Sequence, residues 1–179
     1  FLMPHMTEMK QTDIRTEFGA FKNSQVWFTI IMGVVGFGGM FSVYTYISWT
    51  MTEVAGMDQS LIWVVLMAYG IGMTIGNAFG GWLADRNLEF GIIFALACLI
   101  VILTAFYFLS SHAIPATLCF GCVAFMGSTL VPSLQLRLVH VAGDAQTLAA
   151  ALNQSALNIA NAAGATIGGA VVGAGLGYS

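Results

Sequence analysis

Five long apolar segments, separated by short polar turns, fill the chain from about residue 26 onward. A helix needs about 20 mostly apolar residues to cross the hydrocarbon core of a bilayer. The five segments have about that length or more, at about 26–51, 61–83, 90–109, 113–136 and 145–176. A membrane-spanning strand would alternate polar and apolar residues, and residues 90–109 do not. The chain is 58% hydrophobic and 7% charged, against about 25% charged in soluble proteins. The sequence therefore predicts an all-α membrane protein, a bundle of five transmembrane helices.

The basic residues all lie at one end of the predicted spans. They are Lys10, Arg15, Lys22, Arg86 and Arg137. The turns at the other end, residues 52–60 and 110–112, contain neither lysine nor arginine. Because cytoplasmic loops are enriched in these residues, the N-terminus is predicted to be cytoplasmic. Residues 1–25 lack the pattern of a signal peptide and are predicted to be a cytoplasmic linker. Because the sequence begins without an initiator methionine and stops in a glycine-rich span, it is expected to be part of a larger protein.

Glycines recur every fourth residue in the second span, and again in the fifth. In lipid no hydrophobic force draws helices together, so small residues at this spacing favour close packing of backbones. These glycines are explained either by simple packing or by contacts that slide when the bundle moves. The glycines assigned to helix packing are Gly72, Gly76, Gly80, Gly164, Gly168, Gly169 and Gly173.

An aromatic stripe runs along the first span. Phe37, Phe41 and Tyr44 fall on one helical face. Aromatic stripes in membranes serve packing, and they also form cavity walls for amphiphilic solutes. Asn77, set among the glycines of the second span, fits either role. We assign these four residues to a candidate substrate pathway.

The fifth span holds the most polar face of the chain. Gln154, Asn158 and Asn161 lie on one side of the predicted helix. Carboxamides inside a bilayer are costly unless they meet partners or water. They are explained either by hydrogen bonds between helices or by a water-filled pathway for uncharged polar solutes. These three residues complete the candidate pathway.

Features of catalysis are missing from the sequence. No Asp, Glu, Lys or Arg lies in the middle of a predicted span, although such groups normally mark proton relays, so a proton-coupling carboxylate is expected outside this chain. Cys119 and Cys122 form one CxxC inside an apolar span without nearby histidines, and no metal or redox centre is predicted. The sequence also contains no phosphate-binding loop. We predict neither an enzyme nor a cofactor.

The turn between the second and third spans carries a family resemblance. Residues 81–87 read GWLADRN, and this resembles the cytoplasmic signature G-x-L-a-D-R/K-x-G-R/K-R/K of the major facilitator superfamily. The likeness ends after Arg86, since Leu88 stands where the family has glycine. Residues 164–169, GATIGG, are similar to the antiporter motif G-P-x-x-G-G, with Ala165 in place of proline. Together these motifs look like the bacterial drug:proton antiporter branch, including its arabinose-efflux and chloramphenicol-resistance permeases.

The resemblance implies that the five spans are helices seven to eleven of twelve, in the C-terminal half of a transporter whose two halves rock about a midplane site. Helices seven and ten would line the cavity, eight and eleven would contact the other half, and nine would face lipid. The implied partners are the lipid bilayer, the missing N-terminal six helices, the last helix and a small-molecule substrate, with no nucleic acid.

The implied function is proton-coupled efflux of small uncharged or amphiphilic compounds across the bacterial inner membrane. Gly81, Asp85 and Arg86 would form a conformational latch at the cytoplasmic face, because a carboxylate there can pair with helix ends or cations in one conformation only. Ordinary interfacial charges would explain the same residues. The alternative function is a non-transporting scaffold, or half-transporter, that oligomerises through its glycine-rich helix faces.

Overall fold

The chain folds into five long helices joined by short turns. The structure is a computed structural model, and it describes residues 19–143 and 145–173. The helices are α1 (Ser24–Trp49), α2 (Ile62–Arg86), α3 (Leu88–Leu109), α4 (Ala113–Ala142) and α5 (Gln146–Gly173). The described residues contain no strand. The predicted all-α class is confirmed, while residues 1–18 of the predicted linker and residues 174–176 of the last predicted span lie outside the described residues.

Four of the helices are long and apolar enough to cross a membrane. They are α1 with its continuation to Val54, α2 with the turn before it, α3 and α4. In the part of the chain that the structure describes, α5 is not among them, although it has 28 residues. Its polar carboxamides lower its hydropathy, so that a fifth span at α5 stays a prediction.

Asparagine caps fix the helix starts at the end of the bundle that carries Lys22, Arg86 and Arg137, here called the basic end. The Asn87 side chain accepts a hydrogen bond from the Phe90 N–H at 3.1 Å. Asn23 caps α1 by accepting from the Gln25 N–H at 2.9 Å, and its amide also donates to the Val141 carbonyl at 2.8 Å. A side-chain oxygen at this position satisfies a backbone donor that a helix start leaves free. Asn23 also joins the start of α1 to the end of α4.

Helix α4 occupies the centre of the bundle and contacts each of the other four. Its buried residues Val123, Leu130 and Leu134 pack against Phe37 of α1 and Ala160 of α5, and against the inner side of α3. Because the surrounding lipid is as apolar as these side chains, close packing rather than exclusion of water stabilises this core. The bundle is therefore built around α4: α2 and α3 contact it, and α1 and α5 contact both it and each other.

The glycines of α2 face α4. An added Cβ at Gly72, Gly76 or Gly80 would overlap the α4 backbone. At Gly76 the overlap is with the Phe125 carbonyl. The single hydrogen of the Thr129 hydroxyl is shared between the Phe125 carbonyl of its own helix at 2.9 Å and the Gly76 carbonyl at 3.2 Å. The close approach thus permits a buried hydrogen bond between the two helices. This side of α2 is occupied within the chain.

The glycines of α5 face α1 in the same way. Gly164 lies against the α1 backbone, and the ring of Tyr46 fills the space beside Gly168 and Gly169. The Tyr46 hydroxyl donates to the Ala165 carbonyl at 3.0 Å. The resemblance implied contacts between helices eight and eleven and another half of the protein. The glycine faces of α2 and α5 contact helices of this chain, and the contacts with another half stay a prediction.

Helix α3 has one covered and one open side. Its covered side, which includes Ile92 and Leu99, packs into the core, whereas Ile93 and Phe108 on the other side are 68% and 72% exposed. The exposed side of α3 is mostly apolar, with Glu89 at its start and Thr104 and Tyr107 near its end as the polar exceptions. This arrangement is the one expected of a helix at the perimeter of a membrane bundle.

Candidate functional site

The carboxamides of α5 lie on the surface of the bundle. Gln154, Asn158 and Asn161 are all exposed, and none of their side chains hydrogen bonds to another described residue. Asn153, on the adjacent side of the helix, is 6% exposed. The buried side of this segment of α5 is formed by Asn153, Ala156 and Ala160, and the three carboxamides lie outside it. Unpaired amides on a helix in a bilayer need water or a polar partner, because lipid satisfies neither donor nor acceptor.

The aromatic stripe of α1 is divided between the core and the surface. Phe37 is fully buried, Phe41 is half-buried against the same core, and Tyr44 is 43% exposed. The sequence pattern placed all three on one wall. Packing of α4 and α5 on α1 covers the first two, so that Tyr44 alone presents its side chain at the surface of the bundle.

Tyr44 belongs to an aromatic cluster that joins three helices. Its ring centre lies 4.9 Å from that of Tyr69 on α2, and Tyr69 lies 4.7 Å from Phe120 on α4. These distances are those of favourable ring pairs. Tyr69 is 6% exposed, so that the cluster is buried at one side and open at Tyr44. Sequence reasoning did not include Tyr69 or Phe120, because only the tertiary structure brings the three helices together.

Asn77 lies apart from the other polar groups. Its side chain is exposed on α2, one residue after the packed Gly76. Helices α1 and α4 separate α2 from α5. The structure therefore does not bring Asn77 together with the carboxamides of α5. Gly173, also predicted from the sequence, is the last described residue of α5.

The family signature lies at the basic end of α2. The guanidinium carbon of Arg86 is 4.3 Å from the ring centre of Trp82, which stacks in turn on Phe79. Asp85 is exposed and has no ion pair with any described residue. Gly81 has open space where a Cβ would be. The arginine thus interacts with an aromatic face, and the carboxylate is free to meet a group that is not part of this bundle.

Arg137 connects three helices at the same end, and the sequence analysis used it only to orient the spans. Its Nη1 lies 3.5 Å from Glu89 Oε1 at the start of α3. Its Nε donates to the Thr29 hydroxyl at 3.2 Å, and its Nη2 to Gln25 Oε1 at 3.3 Å, both on α1. Its planar array of donors suits contacts in several directions at once. The available sequence signal was that Arg137 and Glu89 carry opposite charges and lie at the same end of the predicted spans.

The cysteines are separate thiols. Cys98, Cys119 and Cys122 are all free, and Cys122 is exposed. Among residues 19–143 and 145–173 no group of three or more His, Cys, Asp or Glu side chains is arranged to hold a metal ion.

Sequence comparison decides the family. The profile of the Major Facilitator Superfamily matches residues 4–165. The chain belongs to the Major Facilitator Superfamily. The inner membrane transport protein YdhP of Escherichia coli K12 is 34% identical over 179 residues, which is 100% of this chain and 46% of that protein. The family predicted from the GWLADRN and GATIGG motifs is confirmed.

Two further relatives match the branch predicted from the motifs. The putative transporter AraJ of Escherichia coli K12 is 25% identical over 180 residues, covering 100% of this chain and 46% of that protein. The chloramphenicol resistance protein of Streptomyces lividans is 28% identical over 164 residues, covering 89% of this chain and 41% of that protein. No solved structure matches the chain significantly.

The chain spans about half the length of the curated relatives it matches. Two of these relatives are named as a transport protein or a putative transporter, one of them as an inner membrane protein, and the chain has several apolar helices. A multi-pass membrane protein of a transporter family is therefore established. The half of the transporter to which the chain corresponds stays a prediction.

Proposed function

We propose that this chain is part of the C-terminal half of a secondary transporter that exports small uncharged or amphiphilic compounds across the bacterial inner membrane. Export is driven by protons and proceeds by alternating access. Family membership supports a transporter, and the name of the Streptomyces lividans relative supports efflux of a drug-like compound. The clustering of basic residues supports a cytoplasmic N-terminus.

The carboxamide face of α5 is the observation that carries this proposal. Gln154, Asn158 and Asn161 are exposed and have no hydrogen-bond partner among the described residues. If this face were turned to lipid, each amide would lose its hydrogen bonds with water at a cost of about 2–7 kcal/mol. A water-filled pathway removes that cost and provides donors and acceptors to a passing solute. Tyr44, which is partly exposed on α1, supplies an aromatic surface for the apolar part of such a solute.

The acidic residues indicate which steps of transport this chain performs and which the rest of the protein performs. Residues in the middle of the spans carry no acidic side chain, so that the proton-coupling carboxylate lies outside this chain. Asp85 and Arg86, with Gly81 beside them, act as a latch at the cytoplasmic face. The free Asp85 carboxylate pairs with the other half in one conformation and releases it in the other.

The structure of the glycine faces weighs against the alternative of a scaffold that oligomerises through them. Gly72, Gly76 and Gly80 are covered by α4, and Gly164 and Gly168 are covered by α1. These surfaces are used within the chain and are not open to a second copy.

The test is a double substitution, Asn158→Leu with Asn161→Leu, in the complete protein that carries this chain. Cells that lack other exporters are loaded with chloramphenicol, and its efflux is measured at equal protein levels in the membrane. We expect the efflux rate to fall by a factor of about ten or more, because two amide contacts to solute and water are lost.

Thr166→Val is the matched control. Thr166 is an exposed polar residue on the same helix, but its hydroxyl already donates to the Ala162 carbonyl at 2.7 Å. Its removal should leave efflux unchanged. Normal efflux by the double variant would exclude these asparagines from the pathway.

A further inference from the structure

An open cleft lies at the end of the bundle opposite the basic end, between the last turns of α1 and the start of α2. Its volume is about 650 Å³. It is separate from the carboxamide face and includes none of the residues assigned to the candidate substrate pathway. The lining residues are Thr45, Ser48, Trp49, Thr52, Glu53, Met57, Gln59 and Ile62.

The wall of the cleft that α1 forms includes a change of helix type. Helix α1 does not stop at Trp49 but continues as a π-helix over Thr50–Val54, closed by the Ala55 N–H on the Thr50 carbonyl at 3.1 Å. Thr52 and Glu53 line the same cleft as Thr45, Ser48 and Trp49, one and two turns earlier in α1. Short π-helical segments are rare and frequently occur at functional sites.

The polar groups of the cleft are mainly acceptors. The Thr45 hydroxyl donates to the Phe41 carbonyl at 2.8 Å, and the Thr52 hydroxyl donates to the Ser48 carbonyl at 3.1 Å. A hydroxyl has one hydrogen and two lone pairs, so these two can only accept further bonds. An ionised Glu53 carboxylate is also acceptor-only. A ligand that meets Thr45, Thr52 and Glu53 must therefore bring hydrogen-bond donors, whereas Ser48 and Gln59, which also line the cleft, carry donors of their own.

The charge of the cleft is negative. Glu53 is exposed and has no ion pair with a described residue, and residues 52–60 and 110–112 contain no lysine or arginine. Hydrogen bonds from the Ser60 hydroxyl and N–H lower the pKa of Asp58 in the same turn, so Asp58 is also ionised, but it lies outside the cleft lining. A cation is therefore attracted to this end of the bundle.

The remaining lining is apolar and aromatic. Trp49, Met57 and Ile62 offer an indole and two aliphatic side chains. The face of an indole attracts a cation that lies over it, and it also packs against hydrocarbon. The cleft thus combines acceptors, one carboxylate and an apolar wall.

We propose that this cleft binds a protonated primary amine that carries an apolar body. The ammonium group donates to Glu53 and to the hydroxyl oxygens of Thr45 and Thr52, and the body packs on Trp49. The proposal rests on the proposed transport function, in which the cleft is the outer binding site for amphiphilic amines, but binding is testable without transport.

The first test compares three ligands that share a phenylethyl body and differ in the polar group. Equilibrium binding to the complete purified protein in lipid nanodiscs is measured at neutral pH with 2-phenylethylamine, 2-phenylethanol and trimethylated 2-phenylethylammonium. We expect the amine to bind about tenfold or more tightly than either of the others, because only the amine has both the charge and the N–H donors. Equal affinity for the trimethylated cation would overturn the requirement for donors, and equal affinity for the alcohol would overturn the role of charge.

The second test locates the site with two matched charge removals. Glu53→Gln should weaken binding of 2-phenylethylamine about tenfold, because the charge-assisted hydrogen bond is lost. Asp58→Asn removes the same charge from the same turn but outside the cleft lining, and asparagine keeps the cap that accepts from the Ser60 N–H. Its affinity should stay within about twofold of the unmodified protein.

Wild-type affinity in Glu53→Gln, or an equal loss in both variants, would overturn the assignment. These results do not depend on the asparagines of α5. If the chloramphenicol experiment fails while amine binding requires Glu53, the transport proposal fails and the binding site stands. If efflux requires the asparagines while Glu53→Gln binds normally, only the cleft is excluded.

Discussion

At the scale of single residues, the glycines show how one missing carbon controls the distance between helices. Gly76 and Gly70 lie on the same helix six positions apart. A Cβ at Gly76 would overlap the Phe125 carbonyl, whereas a Cβ at Gly70 would meet nothing within 4 Å. Both residues are glycines in the same apolar segment, and only the neighbouring helix distinguishes them.

This difference predicts opposite effects of the same substitution. Gly76→Ala should destabilise the complete protein by about 1–3 kcal/mol, because helices α2 and α4 must move apart and strain the Thr129 hydrogen bond. Gly70→Ala should be neutral or stabilise by up to about 1 kcal/mol, because alanine favours the helix. Thermal unfolding in detergent, followed by size-exclusion chromatography, measures both. Similar melting temperatures for the two variants would contradict the close contact at Gly76.

At the scale of helices, α4 organises the bundle because it contacts all four others, and its Arg137 joins it to α1 and α3 at the basic end. Arg137 reaches Glu89 on α3, and Thr29 and Gln25 on α1. Pro132 interrupts the hydrogen bonds of the same helix and packs against Gly80. The connections of Arg137 hold the segment beyond this proline to its neighbours.

The two partners of the ion pair should therefore contribute unequally. Arg137→Gln should lower stability by about 1–2 kcal/mol, since it removes the contacts of a largely covered guanidinium with both helices. Glu89→Gln should cost at most about 1 kcal/mol, because the Glu89 side chain is 78% exposed and such ion pairs are weak. Melting temperatures of the two variants provide the comparison. A larger loss for Glu89→Gln would show that the ion pair, and not the bonds to α1, is the important connection.

At the scale of the whole molecule, the bundle has two chemically different ends. One end carries Arg86 and Arg137 with the family signature, and the other carries the acceptor-lined cleft with Glu53. If the basic end is cytoplasmic, the cleft opens to the outside. The side of the membrane from which an amine would reach the cleft therefore depends on this orientation.

Single cysteines test the orientation in a chain whose Cys98, Cys119 and Cys122 have been replaced by alanine. Ser111→Cys, in the turn after α3, should react with a membrane-impermeant maleimide in intact cells. Lys22→Cys should react only after the membrane is permeabilised, because basic turns stay in the cytoplasm. The cysteine-free chain controls for background labelling. Labelling of both positions from the same side would exclude the proposed arrangement.

The extent of sequence-based prediction differs between fold and site. The apolar segments predicted five helices, and the described chain contains helices at all five places. The fourth helix extends to Ala142, beyond the predicted residue 136. Its last turns include Arg137 and Val141, whose carbonyl accepts a hydrogen bond from Asn23, so they lie past the apolar segment that predicted the helix. The predicted pathway is divided: Tyr44 and the carboxamides of α5 are exposed, whereas Phe37 is part of the core.

The amino-acid sequence by itself determined the environment, the helical class and the family of this protein. Transfer into lipid depends on the composition of about 20 consecutive residues, and a family signature is a local string, so neither requires knowledge of the fold. Only the tertiary structure decided that α4 covers the glycines of α2, that Phe37 is buried, and that Glu53 shares a cleft with Thr45. These contacts depend on which helices become neighbours, and periodicity within one helix carries no information about the partner on its other side.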